Sequence, residues 1–249
     1  MKDGPKVLAV ICARGGSKRL PNKNMLPIGA APMVYYSILA AKQSEHIDEV
    51  VVSTDSQEIG EYCKGLGAGW IRRSPDISGD NADIKDAVRE AADLFVGVDL
   101  VVTLQAAVPF RPAGMIDALI DEVISSGSNG GLSLVRAAPW TWNRYSSGTG
   151  DRMVASFDFE NYPRSQDLPE TFQEVNAVQV APIDFVRQGR RWGSPLSVVV
   201  MPEIFAVDID TEEDLQEARE RWSMIKNFYF GRRDFVTFTE KNLVKTFKG

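Results

Sequence analysis

The chain is short of the residues that build several common kinds of site. It has two cysteines in 249 residues, Cys12 and Cys63. That is too few for a disulfide scaffold, and they are too far apart for a structural zinc cluster. Cys12 falls inside an apolar run, where a buried thiol is expected rather than a nucleophile. There is one histidine, His46, so no Ser-His-Asp or Cys-His set can be assembled around it. No apolar run reaches the roughly 18 residues that a membrane span needs. The stretch KVLAVICA (6–13) is flanked closely by charge and glycine, and it reads as a buried strand, not a signal peptide. The expectation is a soluble, cytoplasmic protein in a reducing setting.

Acid is missing locally. The chain as a whole carries 34 acidic and 28 basic residues, a net charge of −6, which argues against generic nucleic-acid binding. Yet no Asp or Glu occurs between Gly4 and Ser44, while Lys6, Arg14, Lys18, Arg19, Lys23 and Lys42 do. A basic segment within an acidic chain suits a compact anionic ligand better than a long polyanion.

Apolar runs alternate with amphipathic ones. Strands are expected at 6–13, 49–55, near Trp70 and Ile71, at 99–105 and at 131–137. Helices are expected from Pro32, from Ser56 to about Lys64, from a cap at Asn81 to about Phe95, and from Pro112 to about Ser125. Continuous rather than alternating apolar strands, separated by helices, predict an α/β fold. Its doubly wound, mainly parallel sheet would carry helices on both faces, with ligands at the carboxyl ends of the strands. The pattern breaks over 139–172, which is rich in aromatics and turn formers and reads as an excursion from the core, a hairpin arm. Order returns with EVNAVQVA and LSVVVMPEIFAVDID, the latter read as strand through Asp210. Thr211 and Asp214 have the spacing of a helix start, for a last helix over about 212–225. The main domain is therefore taken as 1–225 and the remainder, 226–249, as an extension without an assigned role.

Three places carry residues suited to chemistry. The first is ARGGSKRLPNKN (13–24), directly after the first strand. Gly15 and Gly16 let backbone N–H groups approach a phosphate, and Arg14, Lys18 and Lys23 can surround its oxygens. The spacing is neither a Walker A loop nor a dinucleotide fingerprint, and a solvated turn with scattered lysines is the alternative. The second is AVDIDTEEDL (206–215). Period two turns Asp208 and Asp210 to one face, where two hard carboxylates suit Mg²⁺, although a surface edge with Asp210 as a helix cap would read the same way. The third is LQAAVPFRP (104–112). Here Gln105 ends a buried strand, and Arg111 could meet a carboxylate or cap the turn. Arg72 and Arg73, before another loop, are either ligands or a solvated pair.

Taken together, these residues resemble the acylneuraminate cytidylyltransferases, the CMP-sialic acid synthetase family. The resemblance rests on Ala13, Arg14, Ser17, Lys18, Leu20, Pro21, Lys23 and Asn24 after a strand, on VVVSTDSQEI (50–59), and on Gln105, Pro109 and Arg111. It continues through Gln166–Pro169 with Asn176 to DIDTEEDL (208–215), and covers about residues 6–220. It implies a Rossmann-like nucleotidyltransferase that joins CTP to a 2-keto-3-deoxy sugar acid of the nonulosonic type, with Mg²⁺ held by Asp208 and Asp210. Arg14, Lys18 and Lys23 would act on the triphosphate. Ala13, Gly15, Ser17, Asn24 and Arg73 would help hold the nucleotide. Gln105, Arg111, Arg164, Gln166 and Asn176 would meet the sugar acid. The arm would reach a second subunit, making a homodimer. The chain departs from the family's pattern at Ala106–Val108, at Asp80–Asp83 and at Glu174–Gln179, mostly on the ribose and sugar side. A 3-deoxy-octulosonate-type acceptor, another nucleotide, or a catalytically dead nucleotide-binding relative are the alternatives.

Overall fold

The computed structural model describes residues 4–79, 82–147, 150–230 and 244–247. Its strands and helices, in chain order, are β1 (Val7–Cys12), β2 (Pro27–Ile28), β3 (Ala31–Pro32), α1 (Met33–Gln43), β4 (Glu49–Thr54), α2 (Gln57–Gly65), β5 (Gly69–Arg72) and α3 (Ile84–Ala92). They continue with β6 (Leu100–Gln105), α4 (Met115–Ser126), β7 (Gly131–Ala137), β8 (Trp142–Ser147), β9 (Gly150–Ala155), β10 (Thr171–Pro182), α5 (Ile183–Arg187), β11 (Leu196–Met201), α6 (Glu212–Phe230) and β12 (Val244–Phe247).

Eight strands form one sheet in the order β12-β11-β7-β10-β6-β1-β4-β5. β1 pairs parallel with both β4 and β6, β5 is parallel to β4, and β11 is parallel to β7. β10 runs antiparallel between β6 and β7, and β12 runs antiparallel to β11. The sheet is thus mainly parallel, as expected.

The central strand shows why an unbroken apolar run was needed. Val7, Ala9 and Ile11 enter one buried cluster with α1, α4 and α6, while Leu8 and Val10 enter a second with α3 and α5. Both faces of β1 are covered, so no position along it can be polar. The chain leaves β1 toward β4 on one side and later returns through α3 to β6 on the other. This reversal opens a crevice past the carboxyl ends of β1 and β6, where Cys12 and Gln105 sit opposite each other in register.

Helix boundaries follow local chemistry. Ser56 caps α2 by accepting the Ile59 N–H at 3.3 Å. Asp83 caps α3 by accepting the Lys85 N–H at 3.0 Å, whereas the cap expected at Asn81 lies outside the described residues. Pro112 comes just before α4, which Gly114 opens and Gly127 closes, both with positive φ.

Two expectations change at the C-terminal end. Residues 206–210 are not a strand. After Met201 the chain makes a 3-10 turn at Glu203–Phe205, then continues without regular structure and unpaired in the sheet, held by the Ile209 N–H on the Ala107 carbonyl at 2.9 Å. The last helix also continues past Ile225 to Phe230, and Val244–Phe247 adds a strand to the sheet edge. The segment 226–249 is therefore partly integrated into the domain. Residues 231–243 and 248–249 lie outside the described residues.

The break at 139–172 is a hairpin. β8 and β9 pair only with each other. Trp142, Tyr145, Met153, Phe159 and Tyr162 in this region are exposed. Among the described residues no helix is long and apolar enough to cross a membrane.

Candidate active site

The loop after β1 is anchored at both ends before it can present anything. The Ala13 N–H bonds to the Ser53 carbonyl at 3.1 Å, Leu20 is buried in the main core, and Lys23–Met25 form a 3-10 turn entered through Asn22 at φ 54°. The Gly15 N–H donates to Asp55 Oδ1 at 2.7 Å. A Cβ on Gly15 would lie 2.8 Å from Ser56 Cβ, so glycine is required there by a close approach. Asn24 is buried, and its Nδ2 donates to the Arg14 carbonyl at 2.8 Å. The Arg14 guanidinium in turn donates from Nη1 to the Gly79 carbonyl at 3.2 Å.

These contacts shape a cleft over the strand ends. Cys12 and Gln105 form its floor. Arg14, Ser17, Lys23, Asn24, Arg73, Gly79 and Ile84 also line it. Arg73 is buried, with Nε on Ser53 Oγ at 3.1 Å and Nη2 on the Ser53 carbonyl at 2.9 Å, so its charge is fixed at the wall. Burial pushes the Cys12 thiol up to about 11, against the pull of the Arg73 and Arg191 charges, so the floor carries a neutral thiol.

Asp208 and Asp210 come from the far end of the sequence to the cationic loop, Asp210 in contact with the cleft-lining Lys23 and Asp208 within reach of its charge, and neither is itself among the cleft-lining residues. Val207 and Ile209 are buried in the main core, so the alternating Asp208 and Asp210 face outward even without strand pairing. Asp210 closes on the loop: its Oδ1 accepts from Lys23 Nζ at 2.9 Å and its Oδ2 from Arg19 Nη2 at 2.5 Å. Burial alone would raise the Asp210 carboxyl. The hydrogen bond and charge of Lys23, with those of Arg19, hold it below the usual carboxylate value. Asp208 moves the other way, raised first by desolvation and then by the neighbouring Asp210 charge. Asp214 accepts the N–H groups of Asp210 and Thr211 at 2.9 and 2.8 Å, while Thr211 Oγ1 accepts the Asp214 N–H, which is the expected start of α6.

A divalent cation fits this donor set in one way. Among the described residues no group of three or more His, Cys, Asp or Glu side chains could hold a metal ion. Two hard carboxylates on one face remain, Asp208 raised first by desolvation and then by the Asp210 charge, and Asp210 already paired with Lys23 and Arg19. This suits Mg²⁺, which commonly takes one or two protein carboxylates and completes its shell with water and phosphate oxygens.

The residues expected on the sugar side do not converge. Gln105 lines the cleft. Arg111 is turned into the protein: it is 2% exposed, and its guanidinium donates to the carbonyls of Ala177 at 2.7 Å, Gln105 at 2.9 Å and Pro109 at 3.4 Å, and to Ser37 Oγ at 3.0 Å. It ties α1, the end of β6 and β10 together and lines a different cavity from Gln105. Asn176 accepts from the Gln179 amide at 3.0 Å, where β10 shifts register between Glu174 and Gln179. Arg164 and Gln166 are exposed beyond the hairpin, with Arg164 paired to Asp167 at 2.8 Å. None of these four is among the cleft-lining residues.

Sequence reasoning passed over Arg19 as a site residue, although it stood in the acid-free segment. It also passed over Arg191, which pairs with Asp83 at 3.0 Å near the cleft and acts on Cys12. No motif marked Arg191.

A model of the cytidylyltransferase family matches residues 8–158. N-acylneuraminate cytidylyltransferase B of Danio rerio is 31% identical over 228 residues, which is 91% of this chain and 53% of that protein. The chain spans about half the length of such vertebrate relatives. A pseudaminic acid cytidylyltransferase of Campylobacter jejuni is 30% identical over 221 residues, covering 86% of this chain and 95% of that one. Among solved structures, a CMP:2-keto-3-deoxy-manno-octonic acid synthetase complexed with CTP superposes with a TM-score of 0.68 at 18% identity, over 88% of this chain and 99% of the other. That last likeness speaks for the fold. The family match runs from β1 through the hairpin and takes in the cationic loop and the cleft floor, so the chain belongs to the cytidylyltransferase family.

Proposed function

We propose that the chain activates a 2-keto-3-deoxy sugar acid of the nonulosonic type with CTP, giving a CMP-sugar and pyrophosphate. The observation that carries this reading is the closure of the cationic loop on Asp210 through Arg19 and the cleft-lining Lys23. It gathers positive charge for a triphosphate and carboxylates for its counter-cation at one place. The names of the relatives, an N-acylneuraminate and a pseudaminic acid cytidylyltransferase, supply the substrate class.

In this reading the anomeric hydroxyl oxygen of the sugar acid attacks the α-phosphorus. A new oxygen–phosphorus bond forms, the bond to the bridging β-phosphate oxygen breaks, pyrophosphate departs and the hydroxyl proton is released. Such transfer depends on positioning and charge neutralisation more than on covalent help from the protein. Arg14, Lys18 and Lys23 hold the triphosphate and stabilise charge on the leaving pyrophosphate. Asn24 fixes the loop through the Arg14 carbonyl, Arg73 flanks the nucleoside, and Gln105 offers its amide to the acceptor. Asp208 and Asp210 would hold Mg²⁺, which polarises a phosphoryl oxygen and lowers the pKa of a bound hydroxyl. The active unit is taken as a homodimer joined through the exposed aromatic hairpin, in the cytoplasm. Light scattering of the purified chain tests the dimer.

The test of activity is pyrophosphate release from each of four nucleoside triphosphates against a panel of sugar acids, with Mg²⁺. Turnover with CTP and a nine-carbon sugar acid is expected. Turnover only with an eight-carbon octulosonate, or only with another nucleotide, would replace the substrate. Nucleotide binding without turnover on any pair would make the chain a binding protein on this fold.

A further inference from the structure

Both oxygens of the Asp210 carboxylate are engaged by cations of the same loop: Oδ1 by Lys23 and Oδ2 by Arg19. A divalent ion approaching this face alone meets a carboxylate already neutralised and two positive groups beside it. Asp214 cannot relieve this, since its carboxylate accepts the N–H groups of Asp210 and Thr211. Those same bonds fix the Asp210 backbone, so the mobile partner in the contact lies on the loop. Of the two cations, Lys23 is held more deeply, with 14% of its side chain exposed, whereas Arg19 is 68% exposed, with solvent on most of its side chain.

We infer that Arg19 is a positioning residue with two alternating partners. It pairs with Asp210, and when a triphosphate binds beside Lys23 it transfers to phosphate oxygens and uncovers the carboxylate. Divalent-ion binding is thereby conditional on nucleotide binding, and the two affinities are coupled reciprocally. The inference rests on the proposed triphosphate site, but on neither the base nor the sugar.

The test therefore uses probes with neither. Mn²⁺ binding to the protein alone is followed by electron paramagnetic resonance, and inorganic tripolyphosphate binding in EDTA by calorimetry, for wild type, Arg19→Gln and Arg19→Lys. An exposed ion pair changes an equilibrium by about threefold. Arg19→Gln is expected to bind Mn²⁺ about threefold more tightly than wild type, because Asp210 is uncovered. It should bind tripolyphosphate about threefold more weakly, because a cation is lost. Arg19→Lys keeps the charge and should stay near wild type in both, and adding Asp210→Asn to Arg19→Gln should abolish the gain in Mn²⁺ affinity. Arg19→Gln unchanged in either titration, both affinities moving the same way, or Arg19→Lys behaving as Arg19→Gln would each overturn the inference. If the substrate panel fails while these shifts appear, only the identity of the substrates is overturned.

Discussion

The buried Asn24 amide donates to the carbonyl of Arg14, joining two residues ten positions apart and closing the cationic loop on itself. The loop's shape therefore depends on a side chain that does not need to touch the ligand to matter. Asn24→Ala leaves the Arg14 carbonyl without this donor and is expected to cost about 1–2 kcal/mol of stability. Urea denaturation reads the loss. The same variant should raise KM for nucleotide more than it lowers kcat, since binding geometry is what the bond maintains.

Asp208 gives a pH-dependent prediction of a definite sign. Its carboxyl is raised above the ordinary 3.8 in the folded chain, by desolvation and by Asp210. Protonation of Asp208 thus favours folding. That contribution is full below the ordinary value and is lost as pH rises through the raised one. Asp210 is lowered, so its contribution is present above 3.8 and lost as pH falls through its folded value. Asp208→Asn is expected to raise Tm at pH 7 by about 1 °C, a small gain because the group still reaches solvent, and the gain should vanish in acid. The variant should also abolish Mg²⁺-dependent turnover, so one substitution separates stability from activity.

Much of this was legible in the residues. The unbroken apolar run of β1 announced a strand covered on both faces, and the acid-free loop after it supplies cations that line the cleft. The outward face shared by Asp208 and Asp210 was also legible, although their segment is no strand. Its buried partners Val207 and Ile209 impose the alternation by packing alone. The direction of β10 was not legible, because an antiparallel strand covered on both faces carries the same apolar pattern as a parallel one. Nor could tandem cations reveal that Arg19, rather than Lys18, pairs with Asp210.

Arg111 is buried among interior acceptors, which predicts a structural part for it. Its donors hold three carbonyls and the Ser37 hydroxyl in the interior. Arg111→Met is expected to leave those acceptors unpaired at a cost of about 2–4 kcal/mol. Chemical denaturation checks this. In the fraction that stays folded, KM for the sugar acid should match wild type.

The close approach at Gly15 can be tested by a paired substitution. Gly15→Ala places a methyl 2.8 Å from Ser56 Cβ, an overlap expected to cost about 1–3 kcal/mol. Ser56→Gly removes the opposing atom at the expense of a weaker α2 cap, worth only a few tenths of a kcal/mol. The double variant should recover most of the stability lost in Gly15→Ala, and thermal melts of the four proteins measure the coupling.

Cys12 lines the cleft but carries a thiol raised to about 11. Its thiolate is scarce at pH 8, and iodoacetamide should modify it about 100-fold more slowly than a free cysteine. Mass spectrometry of the timed reaction checks the rate, and denaturation should restore it.

The strand β10 has one end in the hairpin region and the other in the middle of the sheet, flanked by β6 and β7. An exchange of surface specificity between relatives can therefore trade the β8–β9 tip, whose ladder is self-contained. A graft cut further along, beyond Thr171, would take a central stave out of the sheet, so the boundary between replaceable ornament and indispensable frame falls within a single continuous stretch of chain.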